Sequence, residues 1–221
     1  MGKPQGKVKI EWSSNFAYAL GLLASDGCLS TDGRHFDFTS KDLEQIHNFK
    51  NCLGIDVKIG SKTSGYSGKY PGVRYHRVQF GDVLFYRYLL GIGFSPAKTK
   101  VIAELDIPDE YFFDFLRGHF DGDGHFYSYW DKRWKSSFMF YTGFSALSMP
   151  HIIWLRRRIK TLAGVEGHIN KAYGKVANQL KYAKADSRVL LRNMYYNKSV
   201  ICLSRKRLKI EKALGIVGES L

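Results

Sequence analysis

A helix-like segment ending in Asp-Gly occurs twice in this chain, 97 residues apart: Ala19-Leu-Gly-Leu-Leu-Ala-Ser-Asp26-Gly27 and Leu116-Arg-Gly-His-Phe-Asp-Gly-Asp123-Gly124. Self-similarity at a fixed spacing argues for one supersecondary unit used twice. The stretches behind the two copies share the same order of patterns. After the first, residues 28–39 read as a hairpin turning near Asp32-Gly33, and Ser40-Lys-Asp opens a helical pattern (Leu43, Ile46, Phe49, Leu53) closed by Gly54. After the second, residues 125–144 read as two aromatic-rich strands, and Ser148-Met-Pro opens the pattern Ile152, Ile153, Leu155, Ile159, Leu162, closed by Gly164. Two more strand-like runs come next in each half, 57–63 with 73–80 and 165–173 with 179–185. A helix beginning near Asp82 or Asp186 then ends the unit, with basic clusters at Lys98-Thr-Lys100 and Arg205-Lys-Arg207 behind it. The expected fold class is α+β: two pseudo-symmetric αββαββα repeats, each an antiparallel four-stranded sheet with helices on one face and the other face bare, joined by the paired motif helices. The repeats are expected at 1–105, with an N-terminal extension, and 106–221.

Small residues explain how the two helices meet. Ala17, Gly21 and Ser25 recur every four positions, as do Gly118 and Gly122, so each helix presents a strip without bulk where another backbone fits closely. Gly27 and Gly124 stand where a left-handed residue would end each helix. Asp26 and Asp123, just inside those ends, meet the negative pole of the helix dipole, at a typical cost of about 0.3–1 kcal/mol each. Pairing the helices sets the two carboxylates side by side, within about ten ångströms if neighbouring metal ions are to bridge them. A single Asp-Gly pair would read as a helix stop; two at matching places in a duplicated unit call for a cation between them. Hard divalent ions such as Mg²⁺ take one or two carboxylates and fill their other positions with water and phosphate oxygens.

Charge names the partner. The net charge of +14 is unevenly spread, since residues 1–124 hold 15 Lys/Arg against 15 Asp/Glu and residues 125–221 hold 19 against 5. Residues 57–81 add Lys58, Lys62, Lys69, Arg74 and Arg77 with no acid. These cations alternate with aromatics in short β-like runs and form no amphipathic helix, which favours nucleic acid over a membrane surface. No apolar run approaches the roughly 18 residues of a membrane span, and nothing at the N-terminus reads as a signal peptide, so an intracellular protein is expected. The cysteines, Cys28, Cys52 and Cys202, read as buried free thiols. No HExxH, P-loop or Gly-x-Ser-x-Gly string is present, and Lys132 stands where an EF-hand beginning at Asp121 needs glutamate. His119 reads as a packing residue, His125 is open to either role, and Trp12, Trp130, Trp134 and Trp154 read as core or loop fillers.

In its two motif copies, the Phe38-Thr-Ser-Lys-Asp42 strand-to-helix passage and the Leu89-Leu-Gly-Ile-Gly run before Lys98-Thr-Lys100, the chain resembles the LAGLIDADG homing endonucleases of the monomeric, two-motif kind, from about Trp12 to Leu214. The resemblance implies a site-specific endonuclease for intron homing that cuts both strands of a long asymmetric DNA target by metal-dependent hydrolysis, leaving short 3′ overhangs. It implies that Asp26 and Asp123 bind two or more Mg²⁺ ions, with Mn²⁺ or Ca²⁺ able to replace them in binding, and that Ser25 and Gly122 offer backbone carbonyls. At the sixth motif position Ala24 replaces the acid that Asp121 keeps, a departure expected to spare activity. A lysine beside each scissile phosphate is implied, and Lys98, with Lys100 as its rival, and Lys206 match best. Double-stranded DNA is then the partner, with no membrane and no protein partner required. The alternative is an RNA maturase or DNA-binding regulator on the same scaffold that does not cut.

A strand of about ten residues spans about 33 Å, close to ten stacked base pairs, and every second side chain would enter the major groove. Candidate readers are Ser30, Arg34, His35, Lys58, Lys62, Arg74, Arg77 and Gln79 in the first half. In the second they are Tyr127, Tyr129, Lys132, Arg133, Lys135, Lys171, Lys175, Gln179, Lys181 and Lys184, with Gln79 and Gln179 on matching late strands. One register slip would invert the assignment. The second half, being more basic, is expected to hold its half-site with the steeper salt dependence.

Overall fold

A computed structural model describes residues 6–63, 74–96, 101–134, 136–171 (Lys171 by its backbone only) and 177–221. The first repeat runs α1 (Ser14–Asp26), β1 (Gly27–Leu29), β2 (His35–Ser40), α2 (Leu43–Leu53), β3 (Ile59–Thr63), β4 (Arg74–Gly81) and α3 (Val83–Gly91). A 3-10 turn, Asp109–Tyr111, leads into the second: α4 (Phe112–Asp123), β5 (His125–Trp130), β6 (Phe138–Ala146), α5 (Met149–Ala163), β7 (His168–Lys171), β8 (Asn178–Tyr182) and α6 (Lys184–Met194). A last helix, α7 (Ser204–Ile216), grows from the basic cluster that the sequence marks only by its charge. The two antiparallel sheets have the same order, β1-β2-β4-β3 and β5-β6-β8-β7, so the αββαββα expectation holds in both halves.

Local chemistry sets the element ends. The Ser13 hydroxyl accepts from Phe16 N (3.1 Å) and the Asp82 carboxylate from Phe85 N (2.9 Å), satisfying N–H groups that the first turns of α1 and α3 leave open. Asp82 also accepts from Val8 N (3.0 Å), which ties the N-terminal segment to the first repeat. Gly54 (φ +64°) and Gly164 (φ +71°) end α2 and α5 in the left-handed region that glycine enters without strain.

Gly27 and Gly124 depart from expectation: both are extended, at φ −81° and −77°. Glycine is required there for space. A Cβ on Gly27 would stand 2.3 Å from Leu23 Cδ1, and one on Gly124 2.5 Å from the Phe120 Cα, because each chain leaves its helix straight into a strand folded back over the last turn.

Alternation along the strands separates two faces. Phe36, Phe38, Val78 and Phe80 point to the helix layer of the first repeat, where Phe38 stacks on Phe49 at 4.3 Å and Phe36 packs on Phe85 at 5.1 Å. Phe126, Phe140, Phe144 and Leu180 do the same in the second. Each such ring contributes about 1.5–3 kcal/mol by leaving water. Trp154 is in the core and Trp12 stacks on Tyr111, but Trp130 and Trp134 are 52% and 68% exposed, contrary to their reading as fillers. The three cysteines are free, with Cys28 exposed and Cys52 and Cys202 half-buried. Among the described residues no helix is long and apolar enough to cross a membrane.

Candidate active site and nucleic-acid interface

The motif helices α1 and α4 pack backbone to backbone. A Cβ on Gly21 would lie 2.0 Å from Phe115 O, one on Gly118 2.0 Å from Tyr18 O, and one on Gly122 1.9 Å from Ser25 Oγ. Asp26 and Asp123 are the last residues of the two helices, and both are exposed. Asp26 Oδ2 comes within 2.9 Å of that absent Cβ on Gly122, the neighbour of Asp123. With successive Cα atoms about 3.8 Å apart, the Asp26 carboxylate stands within about 8 Å of the Asp123 Cα. The two acids therefore meet at one seam, and Ser25, Asp123, His119 and His151 border a common cavity of about 280 Å³ there.

Two residues that the sequence pattern does not single out belong to this seam. Gln45 is buried; its Nε2 donates to Asp26 Oδ2 (3.3 Å) while its Oε1 accepts from Ser40 Oγ (2.6 Å). As the third residue of α2 it corresponds to His151, the third of α5. His151 donates through Nδ1 to Ala103 O (2.7 Å), and its Nε2 meets His119 Nε2 at 3.2 Å in a buried, stacked pair. His119 thus packs as expected. No pattern along the chain marks Gln45, which falls between Leu43 and Ile46 of the apolar repeat and is recognised only by its burial and its partners.

Lys206, expected beside a scissile phosphate, lies at the end of α4. Its ammonium donates to the carbonyls of Phe120, Gly122 (3.2 Å) and Gly124 (2.7 Å), in and just past the last turn of α4, where Gly122 O is one of the groups a helix C-terminus leaves without an intrahelical partner. Burial pulls its pKa down to about 8, opposed by the charges of Asp121, Asp26 and Asp123. Lys98 and Lys100 lie outside the described residues.

Asp121 is fully enclosed. Its Oδ2 accepts from Tyr18 OH (2.8 Å) and Leu203 N (2.7 Å), and burial raises its pKa to about 6. Thus only the eighth-position acids of the motif reach the surface.

Strand register decides the expected readers. Lys62, Arg77, Gln79 and His35 fall on the face away from the helices in the first sheet, and Tyr127, Tyr129, Gln179 and Lys181 in the second. Arg77 is paired with Asp37, and His35 with Asp32. Lys58 precedes β3 and is exposed; Ser30 and Arg34 flank the first hairpin turn, and Lys132 and Arg133 the second. Two assignments fail. Arg74 shares the parity of buried Val78, so alternation puts it on the helix side. Lys184 opens α6 and donates to Phe138 O (2.9 Å), over the Phe140 ring on the inner face. Lys135, Lys175 and the Lys171 side chain lie outside the described residues. Gln79 and Gln179 do lie on matching strands, β4 and β8, but two positions out of step: Cys28–Asp37–Gln79 corresponds to His125–Gly143–Lys181, and Gln179 corresponds to Arg77.

The outer face of the second sheet carries a row of parallel rings. Tyr127 stacks on Tyr141 at 5.0 Å, Tyr129 on Tyr141 at 6.3 Å and His125 on Tyr127 at 6.2 Å, with Lys181 Nζ 6.0 Å from the Tyr127 centroid. His125, open to either role in the sequence, thus opens this row and lies across Gly143.

No family model matches the sequence, and no curated protein matches it. Solved structures do. The homing endonuclease I-WcaI bound to its DNA recognition sequence superposes with a TM-score of 0.62 at 13% identity, over 90% of this chain and 86% of that one. Meganuclease I-SmaMI bound to uncleaveable DNA gives 0.58 at 13%, over 94% and 93%. Full-length DUF199/WhiA from Thermatoga maritima gives 0.59 at 16%, over 96% of this chain, which spans 63% of that protein's length. The likeness is one of fold, and the fold is the two-repeat LAGLIDADG homing endonuclease fold carried on a single polypeptide.

Proposed function

We propose that this protein is a site-specific DNA endonuclease that hydrolyses one phosphodiester in each strand of a long asymmetric target. The observation that carries the reading is the pair of exposed carboxylates, Asp26 and Asp123, at adjoining ends of two helices that meet backbone to backbone. Both oppose a helix dipole, and a protein that only binds gains nothing from acids turned toward phosphates. The donor set, two carboxylates with the Ser25 carbonyl, is all hard oxygen and fits Mg²⁺; the Gly122 carbonyl already accepts from Lys206 (3.2 Å) and would have to be shared with it. Bound there, the ion would supply charge neutralisation at the phosphate and acidify water. The chain's own residues then orient and exclude: Gln45 holds Asp26 Oδ2 in one rotamer, and the sheets' outer faces set the duplex across the seam. Phosphate contacts fix register, and Arg77, Gln79, Lys181 and the tyrosine row, all on the outer faces, are the candidates to read base edges.

Cleavage selection on a randomised duplex library with Mg²⁺ would return the target. On that target Asp26→Asn and Asp123→Asn should each abolish cutting and leave duplex binding within about twofold. Full cleavage by both variants would reject the assignment. Tight binding by the wild type with no cutting in Mg²⁺ or Mn²⁺ would favour the non-cutting regulator, and preference for structured RNA the maturase.

A further inference from the structure

The first turn of α7 is held at three points. Leu203 N donates to Asp121 Oδ2 in the interior (2.7 Å), Ser204 N donates to Glu44 (3.1 Å), and Arg205 grips Asp42 through two nitrogens (3.0 and 2.7 Å). Of these three, the Asp121 tie alone joins α7 to the second motif helix, and both its partners are sealed from solvent, at 1% and 0% exposure. The preceding stretch of backbone is fixed to the same helix, since Arg117 donates to Ile201 O (2.8 Å) and Met194 O (2.7 Å). Lys206 comes three residues after Leu203, less than one helical turn, so fixing Leu203 fixes where the ammonium arrives. It arrives on the carbonyls of Phe120, Gly122 and Gly124, around Asp123.

We propose that Asp121 is a positioning residue: it anchors the start of α7 so that Lys206 is delivered to the Asp123 end of the seam. This rests on the endonuclease reading for its consequence in catalysis, and on geometry alone for the placement of Lys206. The first motif has Ala24 at the matching position, so the device serves one of the two strand-cutting centres.

The test joins a placement readout to a chemical one. The full chain, with and without Asp121→Ala, is treated with an amine-acetylating reagent, and modification is followed by mass spectrometry. Lys206 should react at least about tenfold more slowly than exposed Lys212 in the wild type, approach it in Asp121→Ala, and regain protection in Asp121→Asn, whose amide oxygen still accepts from Leu203 N. Single-turnover cleavage of a duplex labelled on both strands should slow about tenfold or more on one strand and stay unchanged on the other, with Kd unaffected. Tyr18→Phe, which removes the other bond to the same oxygen, should behave as wild type on both readouts. If Asp121→Ala does not fold, Leu203→Pro deletes the donated N–H at the N-cap of α7, where the backbone (φ −82°) is already close to proline's, and should free Lys206 in the same way. Continued protection of Lys206 in Asp121→Ala or Leu203→Pro, or equal slowing of both strands, would overturn the proposal. A wild-type protein that cuts neither strand overturns the nuclease reading instead, and the acetylation pattern still decides the placement of Lys206.

Discussion

Asp26 and Asp123 close their helices in the same way, yet the helices behind them are built differently. Where α1 has Ala17, Leu20 and Ala24, α4 has Asp114, Arg117 and Asp121, each at the matching distance from its terminal acid. The first helix is anchored by apolar packing, with nothing charged from Phe16 to Ala24. The second is anchored by a buried polar network: Arg117 Nη2 to Asp114 (2.6 Å), Tyr196 OH to Asp114 (3.0 Å), and Asp121 to Tyr18 and Leu203. Apolar packing is tolerant of small shifts, whereas a network of buried charges fixes geometry and suffers heavily if a charged member goes. The second helix also receives a C-terminal helix whose first turn reaches across to α2 of the first repeat, so the network joins the two halves as well as supporting one.

The comparison breaks most visibly at Arg117. Arg117→Leu, which gives α4 the residue of α1, takes the cation from Asp114, leaving it the Tyr196 hydroxyl, and strands two carbonyls, and should cost about 3–5 kcal/mol, lowering Tm by roughly 10 °C. Adding Asp114→Ala should recover at least about 1 kcal/mol by removing a buried charge left without its cation. Denaturant unfolding checks both, and a double variant as unstable as the single would show that the network is not a coupled unit.

The helix seam, by contrast, should respond equally from both sides. Gly21→Ala and Gly118→Ala each place a methyl about 2 Å from a carbonyl of the partner helix and should destabilise by about 1–3 kcal/mol. A difference of more than about 1 kcal/mol between them in the same melt would mean that the pseudo-symmetry of the seam is not energetic.

The smallest effect sharpens the contrast between the sheets. Much of the second half's excess charge sits on its helices in ion pairs: Arg156 and Lys160 with Glu166, Arg157 with Glu104, Arg158 with Asp109, Arg188 and Arg192 with Glu219. On its outer sheet face, within the described residues, Lys181 stands among tyrosines. The expectation of a steeper salt dependence for the second half-site therefore loses its footing in these residues. Lys181→Gln should make the slope of log K against log salt shallower by about one. Arg77→Gln should change it by less, because Asp37 already neutralises that guanidinium. Equal changes would place the Asp37 pair open in the bound state.

Much of the architecture is legible in one dimension. The hairpin at Asp32-Gly33, the helix stops at Gly54 and Gly164, and the small-residue strips at Gly21 and Gly118 follow from periodicity and from what glycine permits. The errors have physical causes. A glycine after a helix signals either a left-handed turn or a lack of room, and at Gly27 and Gly124 the second reason operates. A cation in a β-like run has no face until register assigns one, which is why Arg74 falls on the wrong side of its expectation; Lys184 fails differently, because the strand stops at Tyr182 and Lys184 already belongs to α6. A buried polar side chain such as Gln45 has no signature apart from its partner, and that partner is 19 residues away.

By itself the sequence determined what is local or repeated: the order of elements, the duplication, and the two acids set at equivalent helix ends. Those follow from spacing, which the chain carries along its length. Tertiary structure alone decided the rest, because it depends on which distant groups share an environment. The same aspartate is an exposed acid at Asp123 and a sealed anchor at Asp121, and the difference is the backbone of Leu203, folded over one and not the other.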